Sequence, residues 1–392
     1  MYSLRENHRL DGESIINNML FVIICFFLIA LTHQVFFVDF KTFDFTILMI
    51  VYLFPIIALY LFKVGSKPLY FPDVRFVLLV FLISMIGKMA SRVGYAQLFF
   101  DYSSVYDIRN NAAGGGWFSY LAIFFYPSCI IIFYLNRIYK FHHLIYFAIF
   151  GFLIFDALFL AMRMTPTFVL LFWIVFTFDV KKMLKSKLSW FLMIIFVLLI
   201  VVIFKETTEM KAFNAEDFDW SVHLQSTIST QIVGISDWVI ALDGFEYFKG
   251  YVFLSHYLYH SIGEFSTYLA ADILNILDLN GQISKNATCS VLGCTLDEDF
   301  YRAGVYKTIY FDFIYDFGVF YASFILGTIF LFVFALSLSV KYFSVDIFVF
   351  LVIMMLSPIG NFFYGGLGIF QILCISVISL GSFLLSKNKS GV

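Results

Sequence analysis

Charge is what this chain has least of. Asp, Glu, Lys and Arg make up 13% of its 392 residues, about half the share of a soluble globular domain. With 61% hydrophobic residues and a mean hydropathy of +0.91, a water-soluble globule is excluded and a polytopic membrane protein is expected. The chain also lacks a Gly-rich phosphate loop, a dinucleotide fingerprint, a cysteine metal cluster and any internal repeat. This argues against an ATP-driven pump and against an enzyme of cytoplasmic sugar nucleotides. Substrates must come from the membrane or from its far side. The net charge of -2 gives no signal for nucleic acid, and no cofactor or metal is expected.

The first apolar run begins near Ile16 and lacks a small-residue cleavage site, so it reads as a transmembrane helix and not as a removed signal peptide. Further spans are expected near 45–62, 74–91, 116–135, 144–162, 165–178, 188–204, 315–338, 344–358 and 365–386. The expected fold class is thus all-α, a polytopic integral membrane protein of about ten transmembrane helices. Three regions follow: 1–204 with the first seven helices and a basic outer loop at 92–115, 205–309 as a large outer loop with interfacial helices, and 310–392 with the last three helices.

Orientation is read from Lys and Arg in alternate loops. One parity collects Arg5, Arg9, Lys63, Lys67, Arg75, Arg137, Lys140, Lys181, Lys182, Lys185, Lys187, Lys341, Lys387 and Lys389. That side is expected to be cytoplasmic and to hold both termini. The large loop then faces outward, where its many acids do not govern orientation. Cys289 and Cys294 lie in that loop, either as a structural disulfide or as two thiols. Cys25, Cys129 and Cys374 fall inside spans as small core residues.

Three constellations have residue types suited to chemistry. Lys88 and Arg92 lie four residues apart on one helix face at an outer helix end, and Arg109, Arg163, Arg302 and Lys307 belong to the same outer level. Singly, each would snorkel or pair with an acid; together they read as an anion site, because guanidinium forks match phosphate oxygens. Asp156 lies within the fifth span, seven residues before Arg163 and so on the same face. It is either a structural tether for an arginine or a functional carboxylate. His256, His260 and Glu264 share a face of a loop helix, which suits a solvent-facing stripe better than a metal site.

A charged, tyrosine-rich seam, Asp299 to Gly318, joins the large loop to the eighth span. It holds Arg302, Tyr306, Lys307, Asp312 and Asp316. Asp312 and Asp316 stand one turn apart, so two close carboxylates would raise one pKa, as a general base requires. The plainer role for Asp316 is to cap the helix or to pair with Arg302 or Lys307.

The arginine loop around Arg109, Arg163 in a short outer loop, Gly250 in a late large loop and Tyr306 to Gly318 opening the next helix together resemble the Wzy-type O-antigen or capsule repeat-unit polymerases. That resemblance implies a GT-C-like membrane enzyme, without cofactor or metal, facing the periplasm from a bacterial inner membrane. Its substrate would be undecaprenyl-pyrophosphate-linked oligosaccharide, with a chain-length regulator and a flippase as protein partners. Asp316, Asp312 and Arg302 would be the catalytic residues. Arg92, Arg109, Arg163, Lys307, Tyr306, His256 and His260 would bind pyrophosphate and glycan. An O-antigen ligase, which passes the glycan to lipid A-core, and a lipid-linked sugar flippase or other transporter remain alternatives.

Overall fold

The computed structural model describes residues 12–37, 42–101, 116–158, 164–180, 326–359 and 368–389. It also describes positions 185, 186, 202, 248, 251, 252, 255, 256, 259, 262 and 310. Among the described residues the regular elements are helices: α1 (Gly12–Phe36), α2 (Thr42–Val64), α3 (Val74–Asp101), α4 (Gly116–Ala122), α5 (Phe125–Leu135), α6 (His143–Leu158), α7 (Met164–Thr177), α8 (Leu326–Ser339), α9 (Val345–Met355) and α10 (Ile369–Lys389). Long apolar runs in lipid must satisfy every backbone N–H and C=O internally, and the helix does so within one segment.

Among the described residues four helical stretches are long and apolar enough to cross a membrane: Gly12–Phe36, Phe45–Val64, Val74–Ser91 and Trp117–Leu135. Their outward faces carry side chains such as Ile50, Leu53 and Ile57 on α2 and Leu79, Leu82, Ile83 and Ile86 on α3. Such surfaces suit hydrocarbon and not water. The chain is an all-α, membrane-embedded protein. Of the ten expected spans, that at 188–204 apart from position 202, and the parts 159–162, 315–325 and 365–367 of three others, lie outside the described residues.

The stretch expected as one continuous helix over 116–135 is broken at Ile123 and Phe124. Pro127 accounts for the break, since it has no N–H to give to the carbonyl of Ile123 four residues earlier and its ring crowds that carbonyl. It fits instead in the first turn of α5, where its missing donor costs nothing.

Every residue of α5 from Phe125 to Leu135 is buried. A helix that is apolar all round belongs inside a bundle, and α3, α7 and α10 pack around this one. Near its C-terminal end the Tyr134 hydroxyl donates its one hydrogen to the carbonyl of Tyr70 at 2.8 Å and lies 3.2 Å from the carbonyl of Phe343. Those two carbonyls come from the α2–α3 and α8–α9 connections, which meet in an isolated parallel bridge between Leu69 and Phe343.

The start of α1 joins the same place, where Gly12 N–H donates to Lys67 O at 3.2 Å. A Cβ on Gly12 would stand 3.0 Å from both Phe343 Cδ2 and Ser66 Oγ, so glycine permits this approach. Asn18 donates to the carbonyls of Val175 and Phe178 at the end of α7, and Arg137 donates to Phe176 O at 2.8 Å and to Ser14 Oγ at 3.1 Å. Burial pulls the Arg137 guanidinium down to about 10, opposed by nearby Asp179, so it stays charged at neutral pH. One end of the bundle therefore gathers the start of α1, the ends of α2, α5 and α7 and the start of α3. Lys63, Lys67, Arg75, Arg137 and Lys341 lie on these turns and connections, and we refer to it as the basic end.

Candidate functional site

Depth along the helices places the polar side chains. Lys88 lies fourteen residues along α3 from Val74 at the basic end, about 21 Å at 1.5 Å per residue. It stands within one turn of Ser91, the far end of that apolar span. Asp156 lies thirteen residues along α6, about 20 Å from His143. The two meet: Lys88 Nζ donates to Asp156 Oδ2 at 2.8 Å, with Lys88 6% and Asp156 0% exposed. The Tyr126 hydroxyl donates to the same oxygen, and the ammonium sits over the Tyr126 ring at 4.3 Å from its centroid.

Isolated, either charge would be costly at this depth. Paired and hydrogen-bonded, they form a neutral unit that ties α3 to α6 and to the first turn of α5. The local backbone is shaped to allow it. A Cβ on Gly87 would come 2.6 Å from Leu121 Cβ and 2.9 Å from the Ala122 nitrogen, so α4 can reach α3 here only because position 87 is glycine. The break before α5 falls directly after that contact.

The sequence grouped Lys88 with Arg92 and Asp156 with Arg163. The structure instead pairs the first member of each group across two helices. Arg92 follows one turn beyond Lys88 on α3, although its side chain is outside the described set. Arg109, Arg163, Arg302, Tyr306, Lys307, Asp312, Asp316 and His260 lie outside the described residues, as do Cys289, Cys294, Gly250 and Glu264. Tyr310, within the seam, is described. Its ring meets Phe54 of α2 edge-on at 5.9 Å and its hydroxyl lies 3.3 Å from Ser357 Oγ beyond α9, so the seam is anchored in the bundle at that point.

A second buried polar group stands at the far end of α1. His33, about 31 Å along the helix from Gly12, places Nδ1 2.8 Å from Ser255 Oγ and Nε2 3.2 Å from His256 Nδ1. Tyr259 packs beside the His33 ring at 5.2 Å. Phe37 meets Phe248 and Tyr251 edge-on, which docks the same part of the large loop on the end of α1. His33, Ser255 and His256 are 0%, 0% and 2% exposed. The sequence reading singled out His256 and missed its partner, though a histidine inside an apolar span is itself a signal. Tyr126 was missed as well, and nothing in the periodicity separates it from core residues. Among the described residues no group of three His, Cys, Asp or Glu is arranged to hold a metal.

No family model, curated protein or solved structure matches the chain.

Proposed function

We propose that this chain is an O-antigen polymerase, a periplasm-facing glycosyltransferase of the bacterial inner membrane that joins undecaprenyl-pyrophosphate-linked oligosaccharide repeat units into a polysaccharide. The observation that carries the reading is polarity along the bundle. The Lys88–Asp156–Tyr126 unit and the His33–Ser255–His256 group lie in the half away from the basic end. If the basic end is cytoplasmic, as Lys and Arg distribution favours, these groups stand toward the outer face, where neither ATP nor sugar nucleotide is at hand.

The chemistry suits that location. A growing glycan leaves its pyrophosphate carrier as the nonreducing-end hydroxyl of a new lipid-linked unit attacks C1. Stabilising the departing pyrophosphate is the largest catalytic demand. Arg302, with Arg92, Arg109, Arg163 and Lys307, would meet that charge. Asp316 or Asp312 would take the proton of the attacking hydroxyl, while Tyr306, His256 and His260 would contact the glycan. In this reading the fold has ten spans of GT-C-like kind, both termini are cytoplasmic, no cofactor is used, and a chain-length regulator and a flippase are its protein partners.

One observation favours a transporter instead. A discontinuous span, such as that broken between α4 and α5, is a common way to build a transporter's substrate site. The polysaccharide ladder of a deletion strain tells the readings apart. A polymerase deletion leaves core plus a single repeat; core alone points to a ligase, and lipid-linked repeats trapped on the cytoplasmic face point to a flippase.

A further inference from the structure

Two helix ends and two lysines from distant parts of the chain meet at one corner of the basic end. α2 and α8 pack through Phe62, whose ring meets those of Phe330 at 6.2 Å and Phe334 at 5.5 Å edge-on. A Cβ on Gly65 would stand 3.3 Å from Leu338 Cδ2, so the helices are still in contact where they end. The connections that follow join in the parallel bridge: Tyr70 N–H donates to Phe343 O and Phe343 N–H to Pro68 O, both at 2.8 Å. Lys67 and Lys341 each stand two residues before their member of that bridge, about 7 Å of chain at most.

Like charges gathered in this way call for a counter-charge. Among the described residues the ion pairs are Lys63–Glu13 at 3.8 Å and Lys88–Asp156, so neither Lys67 nor Lys341 has an acid at ion-pair distance there. Lys341 Nζ lies 5.5 Å from the centroid of the Tyr342 ring, which leaves its charge in place. Asp73, at the same end of the bundle, caps α3 by accepting from the N–H groups of Arg75 and Phe76. The C-terminal dipoles of α2 and α8, about half a negative charge each, offset one of the two lysines. The start of α1 returns about half a positive charge. At least one full positive charge is left over.

That charge borders a lipid-facing surface. Leu61, one turn before Gly65, is exposed, as are Val64, Leu338 and Tyr342. We infer that the cleft where α2 and α8 end binds an anionic phospholipid, whose phosphate sits at Lys67 and Lys341 and whose acyl chain runs along Leu61, Val64 and Leu338. A phosphatidylcholine headgroup carries its own cation, which the ammonium groups repel, so the cleft selects a net anionic lipid. The bound lipid ties α8 to α2 and raises stability by mass action. The site needs only the membrane embedding of the bundle and does not depend on the polymerase reading.

The test uses full-length protein in nanodiscs of equal parts phosphatidylglycerol and phosphatidylcholine with matched acyl chains, and native mass spectrometry to count the lipids that stay bound. Phosphatidylglycerol should be retained in preference to phosphatidylcholine. Lys67→Gln or Lys341→Gln should lower the retained ratio about fivefold, and the double variant about 25-fold, at the usual worth of one basic side chain near an anionic headgroup. Lys67→Arg, which keeps the charge, should hold the ratio within about twofold. Arg75→Gln makes the same charge change at the start of α3, away from the cleft, and should also leave it within about twofold.

In phosphatidylcholine alone the Lys67→Gln/Lys341→Gln variant should match the wild-type Tm, and only the wild type should gain Tm when phosphatidylglycerol is added. A ratio unmoved in the double variant would overturn the inference. Equal losses in Arg75→Gln and Lys67→Gln would overturn it too, as the mark of diffuse surface attraction. Displacement of the retained lipid by excess inorganic phosphate would do the same, as the mark of a site for a free anion.

Discussion

Lys88 and Asp156, 68 residues apart in sequence, meet at 2.8 Å inside the bundle, with the Tyr126 hydroxyl on the same carboxylate oxygen. Charge balance makes the two mutually dependent. Lys88→Met or Asp156→Asn alone strands the partner in a low-dielectric site, at a cost of about 3–5 kcal/mol. Either single variant should therefore lower the Tm of the nanodisc protein and its membrane abundance. The Lys88→Met/Asp156→Asn double variant should regain more than half of the loss, since no charge is then left buried. Simple additivity of the two losses would show that the pair is not coupled.

Sidedness gives a second prediction. A periplasm-active reporter fused after Gly250 should be active, and one fused after Lys185 should be silent, with a cytoplasm-active reporter giving the opposite pattern. The reverse result at either position would remove the outer placement of the whole site.

Much of the architecture was legible because lipid imposes one demand along the whole chain. Among the described residues, four apolar stretches long enough to span and several shorter ones appear as helices near their expected places, and Pro127 explains the interruption between α4 and α5. Side-chain partners were less legible. Spacing along α3 and α6 tells which face Lys88 and Asp156 occupy, but not that the two faces oppose each other. That depends on the close α3–α4 approach at Gly87 and the arrangement of helices around α5. His33 was passed over for a related reason: its partners Ser255 and His256 lie more than 220 residues away, and no local period links positions so distant.

The arginines carry a third prediction. Replacing Arg109, Arg163 or Arg302 by Ala should reduce long-chain product about 100-fold or more, the usual loss when one donor to a developing anion is removed. Membrane-inserted protein should remain at its normal level. Lys should restore only part of the activity, because it supplies the charge without the two-pronged fork. Wild-type ladders from any one Ala variant would remove that residue from the anion site.

Asp316 is tested by Asp316→Asn, which keeps the shape and most of the capping ability of the side chain while abolishing its basicity. As a proton acceptor it should cost about 100-fold or more in chain extension. An Asn variant that extends chains at the wild-type rate across a range of pH would make Asp316 structural and move proton acceptance to Asp312.

The most direct measurement is extension by the isolated protein. Purified full-length chain in nanodiscs is mixed with undecaprenyl-pyrophosphate-linked repeat units extracted from the producing strain, without nucleotide sugar, ATP or added metal. The account predicts a ladder of lipid-linked glycans spaced by one repeat unit, with undecaprenyl pyrophosphate released at each step. Repeat units that stay single, while moving to lipid A-core or only across the bilayer, would contradict it.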